Sequence, residues 1–139
     1  MNDGLFIETL FLSIAYTAWA DGVLKKEEKV LINSVADIAS KLLPAEVQMT
    51  LKNAIKKKPD WKIIEKKFVE LDNTEKLHIL QRVYEMSHID NDFANEEKLV
   101  VEQFISLISY DKSIQKKILE WLEVDKNAND LSNEIYNQL

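Results

Sequence analysis

Two segments of the sequence carry acidic residues at the same spacing. Asp21 and Glu28 are seven residues apart, and so are Asp90 and Glu97. The second pair repeats the first at an offset of 69 residues, and both glutamates lie within the tripeptide Glu-Glu-Lys. Carboxylate oxygens on short loops are suitable ligands for hard divalent cations such as Ca²⁺ and Mg²⁺. The spacing therefore predicts two related acidic loops.

A divalent cation could bind where these loops meet, because crowded carboxylates repel one another and a cation relieves the repulsion. The second loop offers further oxygen donors, and the candidate ligands are Asp21, Glu28, Asp90, Asp92 and Glu97. The loop is not an EF-hand, because Val101 stands where that motif needs its last glutamate. A structural alternative stays open: the helix dipole favours acidic residues at helix N-termini by about 0.3–1 kcal/mol each.

The composition narrows the classes of function. The 139 residues include no cysteine, which excludes disulfides and thiol chemistry, and only two glycines, which argues against glycine-rich phosphate loops. A net charge of −6 opposes binding to nucleic acids and to anionic membranes. The apolar run from residue 5 to 20 contains Glu8 and has no basic residue before it, unlike a secretion signal. We expect a cytoplasmic protein without a membrane span.

The elements that must position the carboxylates are helices. Few glycines and prolines, with apolar residues at helical spacing, predict an all-α fold of about seven helices. They are predicted over residues 4–20, 25–43, 45–57, 60–71, 75–89, 96–109 and 112–122. We expect Thr74 and Asp111 to cap the fifth and seventh helices. Trp19, Trp61 and Trp121 lie on apolar stripes and are expected in the core.

The acidic loops fall between the first and second helices and between the fifth and sixth. Each helix pair alone would expose an apolar face, so we predict two pseudo-symmetric hairpins packed together in one bundle. Residues 1–124 are predicted to form this domain, and residues 125–139 a polar tail. Within the tail Leu131, Ile135 and Leu139 recur every fourth residue, which indicates a short docking helix.

The two loops also carry a recognisable motif. Segment 20–28 reads Ala-Asp-Gly-Val-Leu, three further residues and Glu, and segment 89–97 reads Ile-Asp-Asn-Asp-Phe, three further residues and Glu. This repeat resembles the TerB-like family of tellurite-resistance proteins over about residues 5–110. The resemblance implies paired helical hairpins, an acidic cluster that binds a divalent metal, a role in stress response and no catalysis. The sequence departs from the family's pattern at Lys25, Lys26 and Asn91.

Three functions follow as hypotheses. The first is a non-enzymatic TerB-like module that binds a divalent cation and docks a partner protein. The second is a small acidic immunity or antitoxin-type protein, whose negative charge would attract a basic toxin. The third is a hydrolase that uses the paired carboxylates for acid–base chemistry. No nucleophile motif accompanies those carboxylates, so we expect a binding protein and not an enzyme.

Two further features are expected to have ordinary roles. His88 lies two residues before Asp90 and is expected to end a helix at the edge of the acidic site. A run of lysines is expected to form a solvated face, since no exposed aromatic residues are interleaved with it. These lysines are Lys56, Lys57, Lys58, Lys62, Lys66 and Lys67.

Overall fold

Seven α-helices make up most of the residues that the structure describes. The computed structural model describes residues 3–20, 22, 26–40, 44–88 and 95–138. The helices are α1 (Asp3–Ala18), α2 (Lys26–Ser40), α3 (Ala45–Lys56), α4 (Trp61–Phe68), α5 (Asn73–Ser87), α6 (Asn95–Ile108) and α7 (Lys112–Gln138). No strand occurs in the part of the chain that the structure describes, so the predicted all-α fold of about seven helices is confirmed.

The N-terminal cap of α5 is Asp72, and the prediction of Thr74 was wrong. The Asp72 Oδ1 atom accepts a hydrogen bond of 2.8 Å from the Glu75 backbone N–H. In return the Glu75 Oε1 atom accepts one of 3.2 Å from the Asp72 backbone N–H. This reciprocal capping box satisfies two backbone donors, whereas a threonine cap alone would satisfy one. The helix therefore begins two residues earlier than predicted.

Helix α1 is the centre of the first of two units into which the chain divides, residues 1–108 and residues 109–139. It packs against each of the helices α2 to α6. All its residues from Phe11 to Ala18 are buried, so this helix is covered on more than one side. The five neighbouring helices can therefore share one hydrophobic core with α1 at its centre.

The buried hydroxyl groups of α1 find partners within the helix itself. Thr9, Ser13 and Thr17 lie four residues apart along one face, and each is at most 2% exposed. Each hydroxyl donates a hydrogen bond of 2.6–2.8 Å to the backbone carbonyl four residues earlier. Because these groups are satisfied locally, their burial costs little, and their small size leaves room for neighbouring helices.

Aromatic rings join three helices of this unit. Trp61 of α4 packs against Tyr16 of α1 and Phe104 of α6, with ring centroids 5.2 and 5.0 Å apart. Phe104 also meets Phe68 at 5.6 Å. Trp61 is half-buried, while Phe68 and Phe104 are fully buried, so the tryptophan covers one side of the cluster.

The second unit consists mainly of α7. Asp111 caps the helix as predicted: its Oδ1 atom accepts a 2.8 Å hydrogen bond from the Ser113 backbone N–H. The helix was predicted to end near residue 122 but continues to Gln138, because no glycine or proline interrupts it. The segment predicted as a tail is thus helical, and the boundary after residue 124 stays a prediction.

One core prediction was wrong. Trp121 lies on α7 and is 39% exposed, although its apolar stripe suggested burial. A stripe marks the face that a helix could bury and does not show that anything covers it. Within the described residues, none of the helices is long and apolar enough to cross a bilayer.

Candidate cation site

The sequence repeat is also a structural repeat. Helix α1 ends at Ala18 and α5 ends at Ser87, while α2 begins at Lys26 and α6 begins at Asn95. Both boundaries recur at the offset of 69 residues that separates the acidic motifs. The two connections are therefore equal in length, and each carries its acidic motif at the same place between two helices.

Burial follows the same repeat at five positions of α1 and α5, although Thr9 is buried and its counterpart His78 is exposed. Positions 11, 14, 15, 17 and 18 of α1 are buried, and so are their counterparts 80, 83, 84, 86 and 87 of α5. On the second helices Ile32 and Val101 are equivalent and both buried, whereas Val30 and Leu99 are equivalent and both exposed. The two hairpins thus turn corresponding faces toward the core, as the prediction of paired hairpins requires.

Among the described residues, Glu28 and Glu97 are charged side chains that are buried at equivalent positions of the repeat. Their exposed fractions are 4% and 6%, although each lies in the first turn of its helix. The neighbouring residues on both sides are exposed in both copies: Glu27, Lys29, Glu96 and Lys98. Carboxylates are seldom buried unless a cation, an ion pair or hydrogen bonds compensate for the lost hydration. The structure therefore singles out one glutamate of each Glu-Glu-Lys tripeptide.

Helix geometry offers one explanation for this burial. Both glutamates are the third residue of their helices, counted from Lys26 and from Asn95. A glutamate at this position can accept hydrogen bonds from the backbone N–H groups at the helix start. Both residues also take part in further interactions within the protein. Capping of the helix start and binding of a cation are thus two alternative roles for the same two carboxylates.

The remaining predicted ligands, Asp21, Asp90 and Asp92, lie outside the described residues. Within the described residues, no group of three or more acidic or histidine side chains is placed to hold a metal ion. In the part of the chain that the structure describes, helices α2 and α6 both pack against α1 and make at most a minor contact with each other. A single site that combines Glu28 with Glu97 therefore stays a prediction, and so does the full ligand set.

Trp19 and His88 occupy equivalent positions, one residue after the end of α1 and of α5. The Trp19 Nε1–H group donates a hydrogen bond of 2.8 Å to the carbonyl of Ala54. That carbonyl belongs to the last turn of α3, where helix carbonyls have no donor within the helix. Sequence reasoning missed this contact, since only the indole's need for an acceptor could have indicated it.

His88 directly follows the last residue of α5 and is its C-cap, at the helix end as predicted. Its ring lies against that of Tyr84, with centroids 4.4 Å apart, and its Nδ1 atom is 2.8 Å from the Tyr84 carbonyl oxygen. Because a carbonyl only accepts hydrogen bonds, Nδ1 carries the proton in the neutral ring, and the lone pair is on Nε2. The histidine is thus anchored to its own helix at the start of the second acidic loop.

An open cavity of about 280 Å³ lies between α1, α3 and α4. Its floor is apolar, formed by Leu12, Ala54 and Ile64. Asp60 at its rim caps α4 by accepting a 3.0 Å hydrogen bond from the Lys62 backbone N–H. The position of the Asp60 carboxylate at this cavity is therefore explained by its role as a helix cap.

Comparison with known proteins identifies no relative. No family model matches the chain. Neither a curated protein nor a solved structure matches it. Conclusions about function therefore rest on the residues and the geometry described above.

Proposed function

We propose that the protein is a non-enzymatic binding module that takes up a divalent cation through its repeated acidic loops. The observation that carries the proposal is the burial of Glu28 and Glu97 at equivalent positions of two equivalent helices. Dipole stabilisation alone would act on an exposed carboxylate as well, so it does not require burial in both copies. A shared need to hold positive charge at both loops accounts for the coincidence.

The ligands in this proposal are Glu28 and Glu97 with the loop carboxylates Asp21, Asp90 and Asp92. An all-oxygen set of this kind favours Ca²⁺ or Mg²⁺ over metals such as zinc and copper, which are usually held by nitrogen or sulfur ligands. The second loop supplies one more aspartate than the first, so we expect it to bind the cation more tightly. The resemblance of both loops to the TerB-like family supports the same chemistry.

The bound cation would act on a partner protein by fixing the loops in one conformation. Loops that order on cation binding can couple that binding to docking, since ordering them in advance lowers the entropic cost of association. In this proposal the protein reports on cation levels in a stress response, as the TerB-like resemblance suggests. The identity of the partner is open.

Backbone amide NMR on the metal-free protein tests this proposal. Titration with Ca²⁺ and then with Mg²⁺ should shift amides of residues 20–28 and 89–98 saturably. The double variant Asp21→Asn/Asp90→Asn, which keeps the size of both side chains, should show no such shifts. If those amides do not respond at millimolar cation, or if the double variant responds like the native protein, the proposal is wrong.

A further inference from the structure

The cavity between α1, α3 and α4 combines an apolar floor with a basic rim. It has a volume of about 280 Å³ and lies within the first unit of the chain. The floor residues Leu12, Ala54 and Ile64 are at most 4% exposed. Lys57 and Lys58 line the cavity and are exposed, so they belong to its rim. A ligand that fills this space would therefore meet apolar side chains inside and positive charge at the entrance.

The surroundings of the cavity are basic, although the chain as a whole is acidic. Residues 50–64 contain five lysines, all of them exposed, and one acidic residue, Asp60, whereas the whole chain has a net charge of −6. Asp60 also lines the cavity, and its carboxylate accepts the hydrogen bond that caps α4. Positive charge therefore predominates around this cavity, which makes it complementary to an anion.

Local structure holds the rim of the cavity in place. The residues of α3 and its C-cap that line the cavity are spaced by three or four positions and share one helix face: Thr50, Asn53, Ala54 and Lys57. In the turn to α4, the ring of Pro59 restricts the backbone. The Lys58 ammonium lies 4.7 Å from the centroid of the Tyr16 ring, and this cation–π contact restrains the side chain. The rim is thus largely formed before any ligand binds.

We propose that this cavity binds a free single-chain amphiphilic anion of the medium-chain fatty acid type. Its alkyl chain would pack against the floor and against Ile63, which is 52% exposed, and its carboxylate would lie at Lys57. An apolar cavity of about 150 Å³ holds a benzene molecule, so a cavity of about 280 Å³ has room for a chain of roughly eight to ten carbons. None of the lining residues belongs to an acidic loop, so binding here is independent of the proposed cation site.

Backbone amide NMR of the full chain with three probes tests the proposal. Octanoate has both chain and charge, octyl glucoside has the same chain with an uncharged head group, and acetate has the charge alone. Octanoate should shift the amides of Asn53, Lys57 and Ile63 saturably, with a dissociation constant at least about tenfold lower than that of either other probe. Shortening the chain to hexanoate should raise the constant about tenfold, since each buried CH₂ contributes up to about fourfold.

Phospholipid vesicles distinguish a free amphiphile from a lipid that is part of a bilayer. The net charge of −6 opposes docking on an anionic membrane, so the protein should not cosediment with vesicles of phosphatidylglycerol. Cosedimentation that is lost in Lys57→Glu would show that the cavity takes its acyl chain from a bilayer, and would overturn the proposal of a free ligand.

Two charge-reversed variants locate the head group. Lys57→Glu replaces the ammonium at the rim with a carboxylate and should raise the dissociation constant of octanoate about tenfold or more. Lys52→Glu makes the same change in net charge on a different face of α3, and should change the constant by less than about twofold. Circular dichroism checks that both variants are helical, and the comparison of chain lengths needs no variant.

Four results would overturn the proposal. They are equal effects of Lys57→Glu and Lys52→Glu, binding of octyl glucoside as tight as that of octanoate, equal binding of hexanoate and octanoate, and the absence of saturable shifts at Asn53, Lys57 and Ile63.

Discussion

Glu28 and Glu97 are buried in the same turn of two helices whose starting residues are 69 positions apart in the sequence. The adjacent glutamates, Glu27 and Glu96, are exposed. The chain therefore provides its own comparison, since each copy has one buried and one exposed carboxylate in the first helical turn. In both copies the second of the two adjacent glutamates is the buried one, so the burial follows the sequence repeat.

Cation binding should stabilise the fold. A ligand that binds only the folded state, at about 100 times its dissociation constant, adds about 2.7 kcal/mol to the free energy of unfolding. Thermal unfolding with Ca²⁺, with Mg²⁺ and with chelator alone measures this effect. NaCl at the same ionic strength is the control, and a midpoint that rises equally with Na⁺ would argue against a specific site.

Replacing Asp72 should be more costly than replacing Thr74. Asp72→Ala removes the acceptor of the hydrogen bond from the Glu75 backbone N–H and should lower the free energy of unfolding by about 1 kcal/mol. Thr74→Ala alters an exposed side chain within the first turn and should change it by at most about 0.5 kcal/mol. Urea unfolding of both variants measures the difference. A larger loss for Thr74→Ala would show that the threonine caps the helix in solution.

Two residues on α6 should respond very differently to truncation. Phe104 is fully buried between Trp61 and Phe68, so Phe104→Ala should lower the free energy of unfolding by about 3–5 kcal/mol. Leu99 is 61% exposed, and Leu99→Ala should lower it by no more than about 0.5 kcal/mol. Denaturant unfolding checks both values, and similar losses would mean that the aromatic cluster does not stabilise the first unit.

The Trp19 indole should contribute to stability through its polar atom. Trp19→Phe keeps an aromatic ring but leaves the Ala54 carbonyl without the indole N–H, which should cost about 0.5–1.5 kcal/mol. Hydrogen exchange at the C-terminal end of α3 should become faster, because that turn loses its link to α1. Unchanged exchange in α3 would show that this hydrogen bond does not hold the helix end.

Helix order and the repeat could be predicted from the sequence, because apolar periodicity and the scarcity of glycine and proline depend on local information. The burial of Glu28 and Glu97 could not, since the exposed residue before each of them is also a glutamate and the sequence does not show which way each side chain turns. Trp121 was misjudged for a related reason: its apolar stripe is real, but the stripe is exposed. Thr74 and Asp72 are both good caps, and the reciprocal hydrogen bonds between Asp72 and Glu75 decide in favour of Asp72.

The most direct test of the proposed cation site is calorimetric titration of Ca²⁺ and Mg²⁺ into two charge-matched double variants and the native protein. Glu28→Gln/Glu97→Gln removes two buried charges but keeps hydrogen-bond acceptors in place, and Glu27→Gln/Glu96→Gln removes two exposed ones. Circular dichroism and urea unfolding establish that all three proteins are folded.

We expect the native protein and Glu27→Gln/Glu96→Gln to bind a cation with similar dissociation constants. In Glu28→Gln/Glu97→Gln the constant should rise at least about tenfold, a change of about 1.4 kcal/mol. Equal binding by all three folded proteins, or no saturable heat with either cation, would contradict the account and leave the buried glutamates with a structural role alone.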